Sequence, residues 1–397
     1  MPGGRGRHSL AAMRILLLLA ALLPFAGSVH AQSPELPPEA WREDAQSIEG
    51  LVNANYAYLD RFPGGVMPMS DAMRAEAAAV HDRNSLLLYA EHALTALADH
   101  HAITGSSFRD SWAVTPSYSD LWVEKQGEVW RITAVREGSP AEAAGIRAGQ
   151  TLDAVGDVPT SQEVAAFWSE LGLEPGGDRD GYGARVLAAG RRDRPRDLTV
   201  SGRRLSVPNL YADRADRPPV SVREDGGTLV IRFNDSLGDS DAIAAFDAAM
   251  AGARPGQPIL IDLTDTASGG NTSVARAVMG WFVTEPRAYQ IHNLPAEERE
   301  TGVPRRWIEQ VLPRPGKHHD GPVTVRAGRW TGSMGEGLTV GLAAIGARTE
   351  GGPMAGLLGA IYDFRLERSG MVIKFPAERL YAVDGTPREA FVAGSAR

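Results

Sequence analysis

Ser333 lies in the segment Arg329–Gly337 (R-W-T-G-S-M-G-E-G), at the junction between a strand pattern and a helical pattern. Upstream, Gly321–Ala327 alternates apolar and polar residues, which is the period of a strand. Downstream, apolar residues recur at helical spacing as far as a C-cap at Gly346. A serine at the start of a helix lies beside backbone N–H groups that have no partner within the helix. Such groups could hold the oxyanion of an acyl-transfer intermediate.

The same residues also fit a purely structural interpretation. Ser333 and Glu336 have the S-x-x-E spacing of a capping box, in which the serine caps the start of the helix and does no chemistry. The motif alone does not separate the two interpretations, so the rest of the chain has to decide.

Composition narrows the classes of function. The chain has 397 residues, of which 43% are hydrophobic and 23% charged, and this is typical of a globular protein of two or three domains. Its formal net charge of −8 argues against a nucleic-acid partner and against docking on anionic lipid. With no cysteine there is no cysteine-based zinc pattern, and we expect no metal and no cofactor.

The N-terminal residues resemble a secretory signal peptide, which we predict to be residues 1–31. Met13-Arg14 precedes an apolar run, Ile15–Phe25, and Val29-His30-Ala31 has the small-x-small form of a cleavage site. The run is too short to span a bilayer, and no cysteine follows it to carry a lipid. We therefore expect a periplasmic or secreted protein without a transmembrane or lipid anchor, with either Met1 or Met13 as the true start.

Residues 32–118 show helical patterns and form the first predicted region. The expected helices are Ser47–Leu59, Ser70–His81 and Ser85–Leu97. The last of these ends close to the pair His100-His101, for which a favourable interaction with the helix dipole is the simplest explanation.

Residues 119–206 resemble a PDZ domain. The segment Gly138–Ile146 (G-S-P-A-E-A-A-G-I) matches the turn and short helix of that family, after a strand at Trp130–Val135. The further expected elements are a helix at Ser161–Leu171 and strands at Arg185–Ala189 and Leu198–Ser201. PDZ domains capture a peptide as an added strand, often by its terminal carboxylate. Here the loop Tyr118–Leu121 lacks glycines and carries an acid, so capture of a free carboxylate, capture of an internal segment and a regulatory role all stay open.

A linker rich in Pro, Asp and Arg is predicted over residues 207–226, and an α/β domain over residues 227–397. The expected elements are the strands Thr228–Phe233 and Pro258–Leu263 and the helices Ser240–Ala251 and Thr272–Phe282. A polar loop with His292, Trp307, His318 and His319 then leads to the strand before Ser333. Such β-α-β units gather their loops at the carboxyl ends of the strands, where ligands usually bind.

Four motifs make residues 92–391 resemble the tail-specific, or carboxy-terminal processing, serine peptidases and their tricorn-type branch. They are T-G-S-M-G-E at Thr331–Glu336, I-D-L-T-D-T-A-S-G-G at Ile261–Gly270, L-A-D-H-H-A at Leu97–Ala102 and V-D-G-T-P-R-E at Val383–Glu389. The resemblance implies a crotonase-like ββα-type α/β peptidase core with an inserted PDZ-like domain and an N-terminal helical segment.

The same resemblance assigns roles to particular residues. It implies Ser333 as nucleophile, His101 as general base and Glu389 as the carboxylate behind the histidine. The oxyanion hole would consist of the Met334 N–H and that of Gly269 or Gly270. His100 and Glu336 are candidates for supporting residues behind these groups. The family's Lys-dependent branch has a lysine about 25 residues after its serine; no lysine occupies that turn here, so a role for Lys374 is not expected.

These roles agree with general chemistry, because a serine hydroxyl needs a base within hydrogen-bond reach and the base needs a fixed tautomer. The sequence therefore predicts a serine endopeptidase that acts on peptides or unfolded proteins through an acyl-enzyme. The alternative is a catalytically silent protein that binds peptides or other ligands on the same scaffold. The oligomeric state is left open.

Overall fold

The structure is a computed structural model that describes residues 36–212 and 217–395. The predicted signal peptide lies outside these residues. None of the helices that are described is both long and apolar enough to cross a membrane.

Helices of the described chain fall into three groups along the sequence. The N-terminal group is α1 (Pro38–Asn55), α2 (Asp71–Ala79) and α3 (Arg83–Thr95). The middle group is α4 (Pro140–Ala143), α5 (Thr160–Ser169) and α6 (Asp178–Ala189). The C-terminal group is α7 (Asp241–Ala251), α8 (Thr272–Met279), α9 (Pro295–Thr301) and α10 (Met334–Ala344). Helices overlap all three predicted N-terminal ones, but α1 begins at Pro38 and ends at Asn55, earlier at both ends than the predicted Ser47–Leu59. The side chains of Ser70 and Asp82 cap α2 and α3.

The strands belong to several sheets. In chain order they are β1 (Ile103–Thr104), β2 (Leu121–Gln126), β3 (Val129–Val135), β4 (Leu152–Val155), β5 (Val158–Pro159), β6 (Arg196–Val200), β7 (Arg203–Val207), β8 (Val220–Asp225), β9 (Thr228–Phe233), β10 (Ser236–Leu237), β11 (Ile259–Asp262), β12 (Ser268–Gly270), β13 (Arg287–Asn293), β14 (Arg306–Val311), β15 (Val323–Ala327), β16 (Arg348–Gly351), β17 (Ala360–Arg365) and β18 (Val372–Tyr381).

The sheet that carries Ser333 has the order β16-β15-β11-β9-β8. Strands β9, β11, β15 and β16 are parallel, and β8 joins antiparallel at the edge. Because β11 is central, its side chains are buried on both faces, which explains the continuously apolar sequence I-L-I-D. Helices α7, α8 and α10 cover one face of the sheet and share an apolar cluster with it. Each large side chain buried in that cluster contributes about 1.5–3 kcal/mol of transfer free energy.

A second five-stranded sheet has the order β1-β18-β13-β14, with β17 also paired to β18. Its strands run antiparallel. Strand β1 follows His101 directly, and pairing of Ile103 with Lys374 attaches the histidine segment to the C-terminal part of the chain. This pairing brings the two distant ends of the predicted site together.

The PDZ-like domain contains the hairpin β2-β3, the sheet β5-β4-β6-β7 and helices α4 to α6. Its apolar residues join those of the N-terminal helices and of β18 in one cluster. Residues Leu86, Val123, Trp168 and Phe375 represent the contributing segments. The PDZ-like domain and the helical region therefore share a hydrophobic core.

Three segments differ from the expectations. The predicted strand Arg185–Ala189 is the second half of α6, because an apolar run of four residues fits a buried helix as well as a strand. The predicted linker contains β8, which forms a hairpin with β9 through Gly226-Gly227, both at positive φ. The expected polar loop contains β13 and β14, whose buried polar residues, such as His292, concealed the alternation.

Candidate active site

Ser333 occupies a sharp turn between β15 and α10. Its φ of 51° is in the left-handed region, which a side chain other than glycine rarely adopts. Close backbone packing holds the turn: a Cβ on Gly332 would lie 2.4 Å from the Ala267 carbonyl oxygen, and Thr331 Oγ1 donates to the Leu263 carbonyl at 2.7 Å. The hydroxyl is thereby presented at the first turn of α10.

His101 follows the end of α3 in a short loop that a buried acid organises. The Asp99 carboxylate accepts the backbone N–H of His101 at 2.9 Å and the hydroxyl of Tyr56 at 2.8 Å. Burial raises the pKa of Asp99 to about 6. The loop places His101 Nε2 at 3.0 Å from Ser333 Oγ, across 232 residues of chain.

The other ring nitrogen of His101 fixes the tautomer. Nδ1 lies 2.7 Å from the carbonyl oxygen of Leu358. A carbonyl can only accept, so Nδ1 carries the proton and Nε2 is free to accept from the Ser333 hydroxyl. Burial, followed by the nearby charge of Arg388, lowers the pKa of His101 to about 4. The ring is therefore a neutral acceptor at neutral pH.

The sequence motif predicted that Glu389 lies behind His101, but the structure does not place it there. The position at Nδ1 is occupied by the Leu358 carbonyl, and Glu389 Oε2 is buried without a hydrogen-bond partner. Its charge acts on Asp99 and Tyr58, raising the pKa of both as a smaller effect beside burial. The short helical turn Arg388–Ala390 determines which side chain points inwards. Arg388, and not Glu389, reaches the segment beside Leu358 that contacts His101.

Glu336 lies directly behind the serine. Its Oε2 accepts the Ser333 backbone N–H at 2.8 Å, as in the predicted capping box, and the serine hydroxyl also contacts His101. Its Oε1 accepts the N–H of Gly356 at 2.8 Å, two residues before Leu358. Burial raises the pKa of Glu336 to about 7. The carboxylate thus joins the serine turn to the segment that orients the histidine.

His100 is turned away from Ser333 and towards the PDZ-like domain. Its Nε2 accepts from Arg185 Nε at 2.9 Å, and its ring stacks on Tyr182 with centroids 4.4 Å apart. Burial lowers the pKa of His100 well below its usual value. Its place in the structure is that of an anchor for the histidine loop.

The two glycines of the turn after β11 have different surroundings. A Cβ on Gly269 would lie 2.7 Å from Ser333 Oγ, whereas a Cβ on Gly270 would lie 2.3 Å from the backbone of Leu237. Gly269 is therefore the glycine that faces the hydroxyl, and Gly270 packs on β10. Met334 is the first residue of α10, so its N–H has no partner one turn earlier in the helix.

Two groups at the site were missed by sequence reasoning. A backbone carbonyl such as that of Leu358 has no sequence signature. Arg388 lies in the motif V-D-G-T-P-R-E beside Glu389, and the family resemblance gives a role only to the glutamate. Among the residues that the structure describes, no group of three or more His, Asp or Glu side chains could hold a metal ion. Lys374 forms an ion pair with Asp363 at 3.0 Å.

Comparison with known proteins identifies the fold that carries these residues. Residues 131–167 match the family model of the PDZ domain. No curated protein sequence matches the chain. The structure is similar to the photosystem II D1 C-terminal processing protease, with 15% identity, a TM-score of 0.54 and coverage of 88% of this chain and 90% of that chain. It is also similar to mature CPAF, with 14% identity, a TM-score of 0.52 and coverage of 89% and 91%.

The chain has the fold of the tail-specific peptidases with an embedded PDZ domain. At these identities the likeness shows the fold. The predicted α/β class and the PDZ-like domain are confirmed, and the crotonase-like detail stays a prediction.

Within this tail-specific peptidase fold, the PDZ domain contacts the serine turn directly. The indole N–H of Trp330 donates to the Ser119 carbonyl at 2.6 Å, and Arg329 pairs with Glu124 of β2 at 2.6 Å. Trp122 and Trp330 also belong to one buried apolar cluster, which includes Ala267, Ala355 and Leu357. The cluster joins the PDZ domain to the serine turn, the glycine turn and the segment before Leu358.

Proposed function

We propose that this protein is a serine peptidase in which Ser333 is the nucleophile and His101 the general base. The observation that carries the proposal is the contact of His101 Nε2 with Ser333 Oγ at 3.0 Å, made while Nδ1 is held by a carbonyl. This arrangement gives a neutral imidazole whose free lone pair points at a hydroxyl, which is the requirement for activating a serine.

The proposed reaction proceeds through an acyl-enzyme. As Ser333 Oγ forms a bond to the scissile carbonyl carbon, His101 Nε2 takes the hydroxyl proton and the carbonyl electron pair moves to oxygen. The N–H groups of Met334 and Gly269 would hold that oxyanion, each worth about 3 kcal/mol in comparable hydrolases. The imidazolium then gives its proton to the leaving amine, and water releases the acyl group by the same steps.

The substrate class follows from the chemistry and the fold. The proposed substrates are peptides or unfolded proteins, cleaved as by an endopeptidase. The predicted signal peptide leads us to propose a periplasmic or secreted location. Support for the class comes from the shared fold with a C-terminal processing protease.

Labelling with a fluorophosphonate tests the proposal. Stoichiometric modification at Ser333, located by peptide mass spectrometry, is expected for wild type and for Ser268→Ala, a matched control whose hydroxyl contacts Ser117 at 2.9 Å. Ser333→Ala and His101→Gln should not react. If wild type stays unlabelled at several pH values although folded, the proposal fails, and the alternative of a silent binding protein is favoured.

A further inference from the structure

Arg388 holds the segment that orients His101. Its side chain is 3% exposed, and Nη2 donates to the carbonyl oxygens of Leu357 and Gly359, each at 2.7 Å. These residues flank Leu358, whose own carbonyl points to the His101 ring. The guanidinium thus fixes the peptide units on both sides of the one that contacts the histidine.

The same guanidinium is linked to the serine turn. Arg388 Nη2 lies 3.7 Å from Glu336 Oε2, and the Glu336 side chain is fully buried. Glu336 also accepts the Ser333 N–H. The buried ion pair between Arg388 and Glu336 therefore connects the backbone of Ser333 to the segment Leu357–Gly359 behind His101. Removing one partner would leave an uncompensated buried charge.

We propose that Arg388 is a positioning residue that holds Leu357–Gly359 so that the Leu358 carbonyl fixes the His101 tautomer. This inference rests on the proposed function. In many serine hydrolases a carboxylate orients the histidine; here a guanidinium and a main-chain carbonyl take that place. The positive charge also lowers the pKa of His101, after the larger effect of burial.

The pH dependence of kcat/KM separates this role from a general structural one. Arg388→Met should lower kcat/KM by on the order of 10²-fold, the cost of a misplaced base. It should also move the acidic limb of the profile to higher pH, because the charge that disfavours the imidazolium is gone. Arg388→Lys keeps the charge but not the paired donors, so its acidic limb should stay near that of wild type while kcat falls.

A matched control is Arg196→Met. Arg196 is equally buried, pairs with Asp120 and donates to the carbonyls of Ala188 and Pro208, away from Ser333. It should lower thermal stability and leave the pH profile unchanged. If Arg388→Met does not fold, the double variant Arg388→Met/Glu336→Gln, which removes both buried charges, takes its place.

The inference is overturned if the folded Arg388 variant keeps the wild-type profile and rate. Failure of the proposed function would look different, since wild type itself would then not react with the fluorophosphonate.

A second inference comes from the PDZ domain. PDZ domains capture a peptide along a free strand edge, and among the described residues β2 pairs only with β3. Its remaining side is covered by α6: Arg185 Nη1 donates to the Val123 carbonyl at 3.4 Å, and Lys125 pairs with Asp180 at 3.0 Å. The strand edge is therefore not open to solvent.

The other side of α6 packs on α5. A Cβ on Gly183 would lie 3.1 Å from Trp168 Nε1, and the Trp168 indole donates to the Arg179 carbonyl at 3.0 Å. The helix is thus enclosed between β2 and α5, and residues 178–189 lie beyond the part that matches the PDZ model.

We infer that α6 occupies the place of a captured peptide, so that substrate reaches Ser333 without strand addition to this domain. The helix instead supports the histidine loop through Tyr182 and Arg185, which both contact His100. This inference also rests on the proposed function but on different contacts from those of Arg388.

The absence of cysteine from the chain provides a clean test. The pair Lys125→Cys/Asp180→Cys, joined by a short bismaleimide, would lock α6 onto β2, and intact mass would measure the yield. The locked protein should hydrolyse protein and peptide substrates, with or without a free carboxylate, within about twofold of each single-cysteine control treated alike.

A locked protein that labels normally with the fluorophosphonate but no longer hydrolyses substrates would overturn this inference, since α6 would then have to leave the groove. Loss of labelling in the unlocked wild type would instead count against the proposed function.

Discussion

The indole N–H of Trp330 donates a hydrogen bond to the backbone carbonyl of Ser119, 211 residues earlier in the chain. Trp330 is three residues before Ser333, and Ser119 is two residues before β2 of the PDZ domain. The bond is buried, so its loss leaves an unsatisfied carbonyl. We therefore expect the geometry at Ser333 to depend on a domain to which the proposed mechanism assigns no reacting atom.

Trp330→Phe tests this dependence. The variant keeps most of the apolar contact and loses the donor, so we expect a stability loss of about 1–3 kcal/mol and a drop in kcat/KM with the fold intact. Denaturant unfolding and hydrolysis rates measure the two effects. Trp112→Phe is a control, because Trp112 packs against a different apolar cluster from that of Trp330. Equal rates in both variants would contradict the coupling.

Glu389→Gln should retain hydrolysis within about tenfold of wild type. Leu358 occupies the Nδ1 position of His101, and Oε2 of the Glu389 carboxylate has no hydrogen-bond partner. His101→Gln removes the proposed base and should cost on the order of 10⁴-fold or more. Steady-state rates of the two variants decide the matter, and a comparable loss in both would restore Glu389 as the orienting carboxylate.

The two glycines after β11 should respond differently to alanine. Gly269→Ala places a methyl group 2.7 Å from Ser333 Oγ, so we expect a folded protein without hydrolysis or labelling. Gly270→Ala meets the Leu237 backbone at 2.3 Å and should lower the thermal midpoint instead. Comparing melting curves with labelling yields tests both. A labelled Gly269→Ala protein would show that the hydroxyl and this glycine are further apart than described.

The pKa of His101 predicts activity in mild acid. Because burial lowers this pKa to about 4, the His101 ring is unprotonated at pH 5, where an ordinary histidine would be mostly charged. We expect the part of the kcat/KM profile that belongs to His101 to fall as pH approaches 4, below the range in which the carboxyls of Asp99 and Glu336 titrate. A fall centred near 6.5 that persists in Glu336→Gln would mean that the ring is more solvated in solution.

The same pKa predicts a pH dependence of stability. A histidine whose pKa is lowered by folding stabilises the native state above its unfolded pKa of 6.5, and this contribution is lost as pH falls towards 4. For His101 the loss is of order 3 kcal/mol at most. His101→Gln should reduce the slope of unfolding free energy against pH in this window, and an unchanged slope would assign it to other groups, such as His100.

Lys374→Ala should leave hydrolysis within a few-fold of wild type, because the ammonium is paired with Asp363. A loss like that of Ser333→Ala, measured on the same substrate, would revive a serine–lysine mechanism.

Sequence reasoning was most successful where local pattern decides structure. The turn at Ser333 and the strand Thr228–Phe233 were predicted from periodicity and agree with the structure. The contact of His101 with Ser333 was anticipated through motifs that are far apart in the chain, although its catalytic role stays a proposal. The wrong predictions concern segments whose structure depends on tertiary contacts. The apolar run in Arg185–Ala189 was predicted as a strand, but it is the buried second half of α6.

The wrong prediction that Glu389, and not the Leu358 carbonyl, contacts His101 had a different cause. A carboxylate can be recognised in a sequence from its residue type, whereas every residue has a main-chain carbonyl. Only the backbone geometry determines which carbonyl faces an imidazole. The phase of the short turn Arg388–Ala390 selects the arginine for the inner position. Which of the two adjacent side chains points inwards depends on a rotation of the backbone by less than one helical turn. The spacing of residues in the sequence does not specify that rotation.

Orientation of His101 by a peptide carbonyl changes where the site is genetically vulnerable. Every amino acid retains that oxygen, so substitutions at position 358 cannot delete the acceptor as a codon change deletes a carboxylate. A saturation library should therefore tolerate many residues at 358 and few at 336 or 388. The constraint on the sequence would therefore lie at the residues that position the backbone, and not at the residue whose carbonyl contacts His101.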